Sequence, residues 1–141
     1  MGVINRIRPA TEQDIPAVLD LWKGARSPIA ALGDDEASVL AVLDRDRESL
    51  LVAEQDGRVV GTLVAGWDGW RGSMYRLVVA EDRRRQGIAR ELVRAGEEHL
   101  QRRGARRIGA LVDRDDAAAT ALWAGAGYDL DERVARYVRN V

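Results

Sequence analysis

Residues 73–103 read as one continuous unit: a strand, a basic glycine turn, then a long amphipathic helix. The strand, residues 73–80, ends in the unbroken apolar run Leu77, Val78, Val79, Ala80, the pattern of a central strand covered on both faces. The helix, residues 87–103, sets Ile88, Leu92, Val93, Gly96 and Leu100 on its inner side. Arg90, Glu91, Arg94, Glu97, Glu98 and Arg102 line the outer one. Gly104 ends it. His99, the only histidine, is assigned to the outer half, in solvent. Residues 107–112 form the next strand, so this unit is a β-α-β crossover, which in one sheet makes its two strands parallel.

The rest of the chain is arranged around that crossover. Residues 3–8 alternate and read as a strand stopped by Pro9. Thr11 to Asp14 spell a capping box, and Ile15, Val18, Leu19 and Trp22 follow on one helical face. Asp34, Asp35 and Glu36 place negative charge at a second helix start, whose stripe is Val39, Leu40 and Leu43. Residues 49–54 and 59–66 make a hairpin around Asp56-Gly57, and a loop at 67–72 leads into the central strand. Asp115 and Asp116 cap an Ala-rich helix ended by Gly125 and Gly127. Tyr128 and residues 134–138 are predicted to close the chain as strands. Without repeats or linkers, residues 1–141 are taken as a single domain of the α/β class, with a mixed sheet and helices on both faces.

Composition removes several functions. The chain has no cysteine and one histidine, so thiolate chemistry and a His-rich metal site are excluded, and no metal is expected. A net charge of −1, with acids interleaved among the arginines, argues against nucleic-acid binding. No apolar run approaches a membrane span and no signal segment is read, so the expected location is cytoplasmic, without membrane association.

The chemistry sits at the strand–helix junction, Arg83-Arg84-Arg85-Gln86-Gly87-Ile88-Ala89. A helix N-terminus offers unpaired amides and partial positive charge. Gly87 and Ala89 let a ligand approach the backbone, and Arg84 and Arg85 add fixed charge. Those parts suit a pyrophosphate; a solvated basic turn is the other reading. Neither a P-loop nor a Rossmann Gly-x-Gly-x-x-Gly motif is present. The loop Gly66-Trp67-Asp68-Gly69-Trp70-Arg71-Gly72 also has two readings. Trp67, Asp68 and Trp70 form an aromatic lip for a cationic amine, or the rings cover a sheet edge.

Arg84-x-x-Gly87-x-Ala89 after Leu77-Val78-Val79 resembles the acyl-CoA signature of the GNAT superfamily of N-acetyltransferases. "IRPATEQD" and "AAATALWAGAGYD" resemble that family's first and last conserved segments, and the loop and strand "GWDGWRGSMYRLVV" resembles small bacterial members. The resemblance implies a mostly antiparallel mixed sheet of six to seven strands with a splayed central pair. It implies acetyl-CoA as cofactor and acyl transfer to an amine of a small molecule or protein by direct attack. Leu77, Val78 and Val79 would pair the pantetheine arm, and Arg84, Arg85, Gln86, Gly87, Ile88 and Ala89 would wrap the pyrophosphate. Asp116 stands where relatives often carry an asparagine that contacts pantetheine; aspartate accepts only, and capping its helix is the other reading. Trp123 stands where many carry a tyrosine; its indole offers a hydrogen bond to the leaving group, or packs in the core. Val79, through its amide, Trp123 and Tyr75 are the candidate catalytic set. Glu54, Asp68 and Glu81 are the carboxylates expected near the site, with water relays in place of a dedicated base. A homodimer paired through the tail strand is one expected assembly. The competing reading of the whole is a binding module that senses acyl-CoA without turnover.

Overall fold

A computed structural model describes residues 5–24 and 34–141. Five strands form one sheet in the order β1 (Arg6–Pro9), β2 (Leu50–Gln55), β3 (Arg58–Trp67), β4 (Gly72–Val79), β5 (Ile108–Ala110). The first four run antiparallel to their neighbours, and β5 lies parallel to β4. Val3 and Ile4, read as the start of β1, lie outside the described residues.

The helices divide between the faces. On one lie α1 (Ile15–Trp22) and α2 (Glu36–Arg45), packed through Val18, Trp22, Val39 and Leu43 onto Leu50, Val52 and Val64. On the other lie α3 (Ile88–Arg103) and α4 (Ala117–Gly125), packed through Ile88, Leu92, Leu100 and Trp123 onto Leu63, Ala65 and Met74. Gly96 brings α3 close to the sheet, since a Cβ there would sit 2.9 Å from Leu63 Cδ2 and 3.2 Å from Met74 Sδ. The closeness fixes where the helix begins, over the C-terminal end of β4.

Local chemistry explains the ends. Asp14 turns the chain from β1 into α1, accepting the Thr11 amide at 2.8 Å and gripping Arg8 with both oxygens at 2.7 and 2.9 Å. The Arg8 guanidinium holds the Asp14 carboxyl below the usual carboxylate range. Asp35 caps α2 through the Ser38 amide and Asp116 caps α4 through the Ala119 amide, at 2.8 and 3.0 Å.

Three expectations are corrected. The sheet has five strands among the described residues, not six or seven, because Tyr128 and residues 134–138 form none. Tyr128 instead sets its ring edge-on to Trp123 at 4.9 Å, and every residue from Asp129 onward is exposed, with no strand alongside. A strand needs a partner edge to satisfy its amides, which composition alone does not supply. His99 is buried, not solvated, with Nε2 3.2 Å from Asp46 Oδ2. It follows Leu92 by seven and Gly96 by three, which is the inner face. The predicted splay of the central pair is present: β5 matches only Gly72, Ser73 and Met74, and the ladder ends where the Leu111 amide donates to the Met74 carbonyl.

Candidate functional site: an open strand edge running into an anion-ready loop

Beyond Met74, β4 continues for five residues with no strand paired on its β5 side among the described residues. Which backbone groups face that open edge follows from the ladder on the other side. Ala80 donates its amide to Val60 O at 2.8 Å, so the alternation of an antiparallel pair turns the Val79 amide and carbonyl outward. Arg84 Nε donates to the Val79 carbonyl at 3.4 Å, which agrees. Leu77, one period earlier, faces the same way.

A bulge interrupts β4 where the splay begins. Arg76 and Leu77 together oppose the single residue Leu63, and Arg76 takes a left-handed φ of 57°. Its cost is met by a buried relay: Trp22 Nε1 donates to Thr62 Oγ1 at 2.9 Å, and Thr62 Oγ1 donates to the Arg76 carbonyl at 2.9 Å. The Arg76 guanidinium stacks 4.9 Å over the Trp22 ring and pairs with Asp34. The bulge shifts the phase of β4. Tyr75 and Val78 pack toward α1 and α2, whereas Leu77 and Val79 pack toward α3 and α4. Burial pushes the Tyr75 hydroxyl up from its ordinary pKa, so it is a proton donor and not a base near neutrality.

After β4, a 3-10 turn (Glu81–Arg83) leads to residues 84–87 and then α3. Arg85 and Gly87 both lie in the left-handed region, at φ 65° and 80°. Glycine adopts that conformation freely, but arginine pays strain on the order of 1 kcal/mol. Among the described residues, none of the backbone amides from Arg84 through Arg90 has an acceptor; Glu91 is the first to bond back, to the Gly87 carbonyl at 3.1 Å. Nothing crowds the Cβ direction of Gly87. The loop's acid is already matched, since Asp82 accepts from Arg58 and Arg83 at 3.0 and 3.1 Å, and Arg58 holds its carboxyl below the usual range. Among the described residues Arg85 has no ion-pair partner. Arg84, Arg85, Gln86 and Gly87 are exposed, whereas Ile88 is buried and pins the helix start to the core. Free amides, two unmatched guanidinium groups and the helix N-terminus make a cradle for a diphosphate-sized anion.

The other sequence-predicted residues fall in different places. Trp123, 5% exposed, belongs to the same apolar cluster as Ala80, Ile88 and Leu92; its indole N–H has no acceptor among the described residues. The Asp116 carboxylate is engaged as the cap of α4. Glu54 is tied to Arg8 and Arg6 at 3.4 and 3.9 Å, and Glu81 is exposed without an ion-pair partner among the described residues. Trp67, Asp68 and Trp70 are not brought to the cradle. Their loop lies at the opposite end of β4, where Trp67 pairs with Gly72. Asp68 Oδ1 accepts the amides of Trp70 and Arg71 at 2.7 and 2.6 Å, and the Arg71 guanidinium lies 4.0 Å over the Trp70 ring. One oxygen of the Asp68 carboxylate is thus engaged within its own loop, while the Trp70 ring stays 73% exposed.

Sequence reading missed the Arg76 bulge and also Gln55, a buried side chain at the end of β2 whose Nε2 donates to Gln86 Oε1 at 3.0 Å. Nothing local marks either, since each depends on partners more than ten positions away.

The comparisons with known proteins converge. Residues 15–128 match the model of the acetyltransferase (GNAT) family. An acetyltransferase of Pectobacterium atrosepticum is 34% identical over 123 residues, covering 87% of this chain and 86% of its own length. One from Sodalis glossinidius is 33% identical over 128 residues, covering 91% of this chain and 89% of its own. Among solved structures, the ribosomal-protein-alanine N-acetyltransferase of Brucella melitensis superposes with a TM-score of 0.72 at 30% identity, over 86% of this chain and 83% of that one. An aminoglycoside N-acetyltransferase solved with CoA superposes with a TM-score of 0.76 over 100% and 98% of the two chains, and at 18% identity that likeness concerns the fold. With a family model spanning most of its length and relatives above 30% identity over nearly all of it, the chain belongs to the GNAT family of acetyltransferases.

Proposed function

We propose that the chain is an acetyl-CoA-dependent N-acyltransferase acting on a primary amine of a small molecule or a protein. The observation that carries this reading is the continuity of two open backbone surfaces, in which the Val79 carbonyl is engaged only by Arg84 Nε. The outward groups of Leu77 and Val79 lead directly to the acceptor-free amides of residues 84–90. A strand edge suits the amide-bearing pantetheine arm, and the loop suits its diphosphate, so the donor set fits coenzyme A. The solved relative that carries CoA shares the fold.

When bound, acetyl-CoA supplies a thioester activated toward amines. The residues then divide the work. Val78 fixes β4 against β3, and Val79 turns an amide toward the reacting carbonyl, where a donor stabilises developing negative charge. Arg84, Arg85, Gln86, Gly87, Ile88 and Ala89 hold the diphosphate and set the depth of insertion. Tyr75, kept protonated by burial, is the hydroxyl donor on the α1–α2 side, with the Trp123 indole N–H a second donor on the opposite side. Asp116 contributes through the cap of α4 and not through direct contact. An amine acceptor arrives protonated and loses its proton to water relays.

Calorimetric titration with CoA tests the reading. Wild-type protein is expected to bind, and Gly87→Glu to abolish binding, because it adds a strained carboxylate facing the phosphate. Equal affinity of the two proteins refutes the site. Steady thiol release from acetyl-CoA over a panel of amines separates an enzyme from a module that holds acyl-CoA without turnover. The same titration run in a sedimentation cell decides whether the working unit is a monomer or a homodimer.

A further inference from the structure

Resting on that reading of the cradle, we infer that a polar relay, Glu91–Asn5–Gln55–Gln86, orients the Gln86 side chain so that its NH2 group faces the anion. The relay has a direction, and one group sets it. The Glu91 carboxylate can only accept, and it takes a hydrogen bond from Asn5 Nδ2 at 2.9 Å. Asn5 therefore turns its carbonyl Oδ1 inward, where Gln55 Nε2 donates to it. With one hydrogen spent there, Gln55 Nε2 uses the other on Gln86 Oε1 at 3.0 Å. The last amide is left with both Nε2 hydrogens uncommitted among the described residues, on an exposed side chain between Arg85 and Gly87. Rotating Gln55 would set oxygen against oxygen, rotating Gln86 would set NH2 against NH2, and rotating Asn5 would set its Oδ1 against the Glu91 carboxylate.

The cost of this arrangement shows at Gln55. It is 3% exposed, and its Oε1 is sealed from solvent with no partner among the described residues. A buried carbonyl without a donor is destabilising, and the opposite rotamer is forbidden only because both facing groups are oxygens. Gln55 is thus held with its donors toward the cradle at the expense of its own acceptor. Gln55, Asn5 and Glu91 are positioning residues, since they act on the anion through Gln86.

A double-mutant cycle read by CoA titration tests this. Gln55→Glu keeps shape and removes both donors, and should weaken CoA about tenfold, the typical effect of losing one hydrogen bond to a charged group. Gln86→Ala should weaken it similarly. Combined, the two should be no worse than Gln86→Ala alone, because Gln55 has no other route to the ligand. Additive losses, or a Gln55→Glu protein that binds like wild type, overturn the relay. If Gln55→Glu does not fold, Glu91→Gln on the surface reads the same series from its far end. It should cost about threefold in affinity only while Gln86 is present, and no change overturns the proposal. A wild-type chain that takes up no CoA removes the cofactor reading and the relay together. Binding that is equal in wild type and variants removes the relay alone.

Discussion

At the start of β4, the loop at residues 68–71 turns a carboxylate oxygen onto its own amides; at the far end, the amides of the loop at 84–87 have no acceptor among the described residues. Both are short, exposed and carry glycine and arginine, with an acid inside the first (Asp68) and just before the second (Asp82). In the first, Asp68 takes the amides of Trp70 and Arg71, and Arg71 covers Trp70. In the second, the acid is drawn aside by Arg58 and Arg83, the amides donate to nothing among the described residues, and two residues occupy the left-handed region. A loop that closes on itself needs no ligand to be satisfied. One that holds strain and unpaired donors is arranged for something that arrives later. Equal residue types therefore carry opposite meaning, and hydrogen-bond bookkeeping separates them.

The largest effect should come from stripping charge off the open loop. Arg84→Ala combined with Arg85→Ala removes both unmatched guanidinium groups while breaking one surface contact, that of Arg84 with the Val79 carbonyl. CoA affinity should fall about a hundredfold, at roughly tenfold for each charged contact, with a flatter dependence on salt and little change in melting temperature. Titrations at low and moderate salt measure both. A loss of folding in place of affinity would mean that the loop, like its counterpart, is built for the structure.

The closed loop should answer in the opposite manner. Asp68→Ala frees the amides of Trp70 and Arg71, so Trp70 fluorescence should shift while CoA affinity stays at the wild-type value. The same loop should respond to acid. The Arg71 amide, followed by that of Trp70, holds the Asp68 carboxyl below its ordinary range. Its folded pKa is depressed, so the interaction is complete above the unfolded carboxyl value near ~3.9 and is lost as pH falls through the lower folded value. A fluorescence transition at or above that ordinary value would contradict the cap. A change in CoA binding with Asp68→Ala would erase the contrast between the two ends, whereas a change in acceptor-amine KM alone would support the lip reading.

How far the sequence carried this picture depends on the range of the forces involved. The strand, turn and helix of residues 73–103 were legible because apolar periodicity and Gly87 act locally. The hairpin, the capping box at Thr11 and the Asp116 cap were legible for the same reason. The Arg76 bulge was not, because Trp22 and Thr62 stabilise it from 54 and 14 positions away. Residues 134–138 have strand-like composition but pair with no strand among the described residues. His99 was misplaced by treating polarity as exposure, although its spacing from Leu92 and Gly96 already put it inside, where Asp46 meets it. At the site, the left-handed turn and exposed basic loop ahead of α3 were readable from Gly87 and its arginines. The relay through Gln55 was not, since a buried glutamine has no signature until its partners are known.

The smallest effect, and the most discriminating, is expected at Arg85. Its φ of 65° is a conformation that glycine adopts without strain. If residue 85 served stability, glycine would gain by relief of strain and nothing would be lost. Arg85→Gly should raise the stability of the free protein by about 0.5 kcal/mol, the strain relieved less the added freedom of the unfolded chain. That corresponds to about 2 °C in melting temperature for a domain of this size. It should also weaken CoA about tenfold through loss of the charge. The two signs are opposed, so one variant measured by melting and by titration separates strain kept for a ligand from strain tolerated by accident. At residues 68–71 no non-glycine residue is held in that region, so the closed loop has no position at which this trade can be made.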